Sequence, residues 1–171
     1  MSYGITPIQT NIKLIEQQIL NLNETQKKEY IKALRPHLKE LQASFGEPVL
    51  QILKDMLNGK GFEAEYDYLY WYIFEKIFLL HGSSLNNSEW YPTDLSELGK
   101  LKALKIFDLQ LENIPYPDDF PLVYSCRSED IETLRIEVSE IISDSAQRDQ
   151  FLSWIDACNS GDNNDLVLYY Y

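Results

Sequence analysis

Residues 62–76 read FEAEYDYLYWYIFEK, and the run continues IFLLHG to Gly82. Seven aromatic rings fall in those fifteen positions, too many for a helix that keeps one whole side in water. Phe62, Tyr66, Leu69, Ile73, Ile77 and Leu80 recur at helical spacing as one stripe. Tyr68, Trp71, Tyr72, Phe78 and Leu79 form a second stripe beside it. Glu63, Glu65 and Asp67 lie near the start and Lys76 and His81 near the end, as the helix dipole favours, and Gly82 stops the run. A helix apolar almost all round is a central, buried one, with tyrosine hydroxyls reaching partners or the rim. Any fold of this chain must therefore surround that helix with other elements. The tyrosines at its acidic end remain candidates for a cleft wall.

The rest of the chain supplies those elements. Residues 3–9 (YGITPIQ) predict a strand. Ile12, Ile15, Ile19 and Leu22 predict a helix, and Asn23 with Gln26 resembles a capping box that opens a second one. Pro36 falls inside that second helix and is expected to kink or divide it. Pro48 suits a first helical turn leading into Val49–Met56, closed by Asn58-Gly59. After a polar loop, Thr93 is expected to cap a short helix, and 103–109 and 122–126 (LVYSC) read as strands. Ser128 is placed as the cap of the next helix, and Asp144 with Gln147 opens the last one. The closing DLVLYYY is apolar on both alternations, as a strand covered on both faces would be. The expected architecture is α+β, one domain over 1–171, mostly helical around a small sheet with the C-terminal strand central.

Charge narrows the function. The net charge is −12, and it is uneven: residues 1–60 hold eight Lys/Arg against six Asp/Glu, whereas residues 61–171 hold seven against twenty-one. A field of that sign repels phosphate backbones, so nucleic acid is not an expected partner. It accelerates encounter with a basic protein, although solubility alone also accounts for it. Glu75 and Lys76 interrupt the longest apolar stretch, so no membrane span is expected. The N-terminus lacks a basic region followed by an apolar run, and two cysteines are too few for a disulfide framework; both point to the cytoplasm.

Catalytic chemistry finds no foothold. His37 and His81 lie far in sequence from Cys126 and Cys158, and no CxxC, HExxH or phosphate-loop spacing occurs, so no metal or cofactor is expected. His81 reads as a cation at a helix end. Cys126 reads as a small buried hydrophobe, with an Arg127-activated thiolate as the sharper alternative. Asp118-Asp119 and Glu129-Asp130 flank one predicted strand and could converge, although a turn and a helix start each use acids for local reasons.

The opening MSYGI, the LLHG step at 79–82, the segment PLVYSCRSEDIETL and the closing FLSWIDACNSGDNNDLVLYYY resemble the YfbM-like group of uncharacterised bacterial proteins. That resemblance implies an α+β fold and a cytoplasmic bacterial protein, and it carries no catalytic residues. The expected function is an immunity- or antitoxin-type inhibitor of a basic toxin domain, a nuclease, rather than an enzyme. Its expected contacts are Asp118, Asp119, Glu129 and Asp130, with Tyr66, Asp67, Trp90 and Tyr91 as anchors. The alternative is a small-molecule-binding protein or unrecognised enzyme with a pocket walled by Tyr68, Trp71 and Tyr72.

Overall fold

The computed structural model describes residues 4–90, 95–111, 113–160 and 164–171. Five strands form one antiparallel sheet: β1 (Ile5–Thr10), β2 (Ser83–Ser84), β3 (Lys105–Ile106), β4 (Leu122–Cys126) and β5 (Asp165–Tyr170), in the order β2-β1-β5-β4-β3. β5 lies in the middle, paired along its length with β1 from Ile5↔Tyr170 to Thr10↔Asp165. It pairs on its other side with β4, from Leu122↔Tyr170 to Cys126↔Leu166.

The central place of β5 explains its composition. Val167 and Tyr169 face a core shared with α1 (Ile12–Asn21), α2 (Glu24–Phe45), α3 (Val49–Leu57) and α4 (Asp67–His81). Leu166 and Leu168 face the opposite core, shared with α5 (Ile131–Ile141), α6 (Ser145–Asn159) and the 95–104 segment. The fold is therefore α+β in three layers, helices on both faces of one sheet.

The aromatic helix is the inner helix of the first layer. In α4, Leu69, Tyr70, Trp71, Ile73, Phe74, Ile77 and Phe78 are all buried, while α2 packs outside it on α3 and α4. Buried polar groups find partners, as low-polarity surroundings require. The Trp71 indole N–H donates to the Pro115 carbonyl at 2.9 Å, and the Tyr169 hydroxyl donates to the Trp71 carbonyl at 2.8 Å. Even the interrupting Glu75 is buried, with Lys76 Nζ donating to it at 2.7 Å.

Local expectations hold in part. Asn23 and Gln26 form a full capping box at the start of α2, and Asp144 accepts the Gln147 N–H at 2.9 Å to open α6. Pro36 does not divide α2, which runs unbroken over 22 residues. The proline ring is on the exposed side, where its missing N–H leaves only the Lys32 carbonyl to water. The 103–109 strand shrinks to the two residues of β3, because Phe107 turns into a left-handed conformation at φ 51°. Ser128 does not cap α5: it begins a 3-10 turn, and its backbone N–H is held by Asp165. Thr93 lies outside the described residues.

Candidate functional site

The structure separates the expected contact residues. β4 spans roughly 17 Å, and it places Asp118 and Asp119 at one end and Glu129 and Asp130 at the other, so the four acids do not share one site. Burial, and after it the charges of Glu75 and Asp119, raise the Tyr72 phenol's pKa. Tyr66 and Asp67, half-buried, begin α4. Trp90 is a correction. It is 1% exposed, packed against Phe151 and Trp154, and its indole N–H donates to the Gln147 carbonyl at 2.9 Å, so its ring has no face to offer a partner. Its apolar ring is too large to leave in water when a second core lies beneath the loop. Tyr91 lies outside the described residues.

The pocket expected from Tyr68, Trp71 and Tyr72 is a second correction. Trp71 is buried in the core, and Tyr68 and Tyr72 lay their rings against Phe45 at centroid distances of 5.4 and 4.9 Å. Their faces are used in packing α4 to α2.

Between the two acidic ends runs an edge that sequence reasoning missed. Among the described residues β3 borders the sheet with only β4 beside it, and Ile106 on it is 54% exposed. Tyr116 stacks on Phe107 at 5.2 Å yet stays 67% exposed. Large exposed apolar groups at an unpaired strand edge mark a surface suited to association. The signal for Tyr116 was present in PYPDDFP, since a proline-bounded loop runs over the surface. Ile106 carried none, because strand length was set by the turn at Phe107. Asp118, Asp119, Glu129 and Asp130 make no ion pair among the described residues, whereas Lys76, Arg127 and Arg135 are engaged by acids of the protein itself.

Beside Glu129 and Asp130 lies a polar cleft of about 480 Å³, lined also by Asn11, Lys13 and Lys105. Its floor is an ion network. Arg127 donates through Nη2 to Glu16 Oε1 at 2.8 Å and through Nε to Asp108 Oδ2 at 3.3 Å. The same Glu16 oxygen accepts the Gln110 N–H at 2.6 Å. Asp165 accepts the Ile12 N–H at 2.7 Å and the Ser128 N–H at 2.8 Å, tying the start of β5 to the first turn of α1 and to the turn after β4. Burial raises the Asp165 pKa against the opposing pull of those two N–H groups and of Arg127. The network holds elements together, since nearly all Arg127 donors already have internal acceptors.

His81, Cys126 and Cys158 are each held in packing. His81 is no cation at a helix end: its Nε2 hydrogen-bonds the Tyr30 hydroxyl at 2.9 Å, its ring stacks on Tyr30 at 5.5 Å, and burial lowers its pKa. Cys126 and Cys158 are free and buried, and desolvation pushes each thiol up to about 12, which removes any activated thiolate. Among the described residues, no cluster of three or more His, Cys, Asp or Glu converges as metal ligands, and no helix is long and apolar enough to cross a membrane.

These features define a three-layer α+β protein with an exposed β-edge between two acidic ends. The chain belongs to the family described as Domain of unknown function (DUF7691), which matches residues 1–171. No curated protein and no solved structure matches it.

Proposed function

We propose that this is a protein-binding protein of the bacterial cytoplasm, an immunity- or antitoxin-type inhibitor that covers the active site of a basic toxin domain, a nuclease. The observation that carries the reading is the set of carboxylates at 118, 119, 129 and 130, which make no ion pair among the described residues, on either side of the exposed Ile106 and Tyr116. A standard interface buries about 800 Å² per partner, a patch roughly 30 Å across. The acids at the two ends of β4 fit within one such footprint. Unpaired carboxylates steer a cationic partner and mimic the phosphates it binds, while a desolvated apolar centre sets the dissociation rate. Ile106 and Tyr116 take the anchoring place first given to Trp90, with Tyr66 and Asp67 at the margin. Buried, reduced cysteines support a cytoplasmic setting. Kinship with the YfbM-like group belongs to the same proposal. A YfbM-like protein with the strand order β2-β1-β5-β4-β3 supports it, and a different order removes it.

The first test is whether a basic nuclease domain is encoded beside this protein; such a domain is then the partner to measure. Stopped-flow association should slow steeply as salt rises from roughly 50 to 500 mM, because screening shortens the reach of the acids. Asp118→Lys with Glu129→Lys should reduce the association rate, and Tyr116→Ala should raise the dissociation rate. An association rate indifferent to salt and to both charge reversals removes the electrostatic part of the proposal.

A further inference from the structure

A cleft of about 620 Å³ opens where α1 and α3 end and α2 begins, lined also by Gln110, Leu111 and Asn113. That volume falls within the range of about 300–1,000 Å³ usual for small-molecule sites. None of the residues of the proposed partner surface lines it. Its floor is apolar, formed by Ile19, Leu22, Met56, Leu57, Phe62 and Leu111. Gly59 and Gly61 form one wall, with φ of +68° and +85° and no atom within 4 Å of where a Cβ would stand. The left-handed backbone there favours glycine and keeps the wall free of side chains.

The rim carries one cation. Lys27 Nζ donates to Glu24 Oε1 at 2.9 Å and to Asn58 Oδ1 at 3.1 Å. An ammonium has three N–H donors, so one has no acceptor among the described residues. The Lys27 side chain is only 19% exposed, whereas Glu24 is 80% exposed. Asn58 thus holds the amine against the cleft while its carboxylate partner stands in water, easily replaced.

An apolar floor with one fixed ammonium at its edge selects among ligands. An alkylamine meets Lys27 as a like charge, and an alcohol adds no counter-charge to the solvent-exposed Glu24 that the ammonium already has. We propose that this cleft binds an apolar monocarboxylate. The carboxylate replaces Glu24 on the Lys27 ammonium, and the hydrocarbon covers Leu22, Met56 and Phe62. The net charge of −12 opposes the approach of any anion at long range, so affinity comes from these local contacts rather than from steering.

Octanoate, octan-1-ol and octylamine are the probes, with methyl-labelled methionine as the reporter. The chain has two methionines, Met1 and Met56, and only Met56 lines the cleft. Octanoate should shift the Met56 methyl resonance saturably and bind about tenfold more tightly than octan-1-ol, the worth of a charge-assisted hydrogen bond. Lys27→Leu should bring octanoate to the affinity of octan-1-ol and leave octan-1-ol unchanged, which also shows that the variant is folded. Leu22→Trp, which fills the apolar end, should abolish the response to both. Equal binding of octanoate and octan-1-ol to the wild type, a Lys27→Leu variant that keeps the preference, or an unmoved Met56 signal with every probe overturns the assignment.

Discussion

His81 occupies a position where a positive charge would favour the helix end, yet its surroundings keep it neutral. The imidazole gains more from the Tyr30 hydroxyl and from stacking than the dipole could return to a partly desolvated cation. A depressed folded-state pKa binds fewer protons than the unfolded chain as pH falls through the usual histidine range. His81 therefore supports stability fully above about pH 6.5, and that support is lost as pH falls through its lowered value. Urea midpoints measured from pH 7.5 to 5 should fall for the wild type and fall less for His81→Gln. Identical slopes would falsify this account. The sequence placed His81 beside Gly82 and so suggested a cap, but Tyr30 is fifty-one positions away and no local pattern announces it. Trp90 failed for the same reason. Its loop is polar by composition, and only the second core beneath it requires a buried ring.

Among the elements, α2 carries a defect it could lose. Pro36 is exposed and packs into neither core, so its costs are a missing hydrogen bond to Lys32 and ring contact with that carbonyl. Pro36→Ala should raise stability by about 1–3 kcal/mol in urea titration, less whatever entropy proline removes from the unfolded chain. A loss of stability would mean that the proline sets a bend on which α2–α4 packing depends. Gly82 is the opposite case. A Cβ there would overlap the Gln9 carbonyl and lie 2.8 Å from Thr10 Cβ, so only glycine lets α4 hand the chain to β2 against β1. Helices were legible because caps and periodicity are local: Asn23-Gln26, Asp144-Gln147 and Asn58-Gly59 each announced a boundary. The short strands β2 and β3 were not, since two residues cannot show an alternation and their pairing is decided by β1 and β4.

At the scale of the molecule, three tryptophans report on two layers: Trp71 on the α1–α4 side, Trp90 and Trp154 on the α5–α6 side. The layers share β5, whose successive side chains serve alternate cores. Single-tryptophan variants, with the others changed to Phe, should therefore show coincident urea transitions from either side. Separated transitions would mean that the layers are independent units. The central position of the last strand was readable from DLVLYYY because burial on both faces forbids alternation. The sheet order was not, since antiparallel partners 160 residues apart leave no trace in any window of sequence. Charge was readable as a total but not as a map. Asp118 and Glu129 looked adjacent because one strand separates them in sequence, and that strand is what holds them apart.

The pairing of β1 with β5 has a kinetic corollary. Ile5 meets Tyr170 only after a loop of more than 150 residues has closed, so the β1–β5 centre of the sheet cannot form from neighbouring segments alone. Topologies dominated by such distant contacts assemble on the slow side, roughly milliseconds to seconds. Until that meeting, the apolar faces of the helices that rest on the sheet have no floor, and the interval is when this protein is most exposed to sticking to its neighbours.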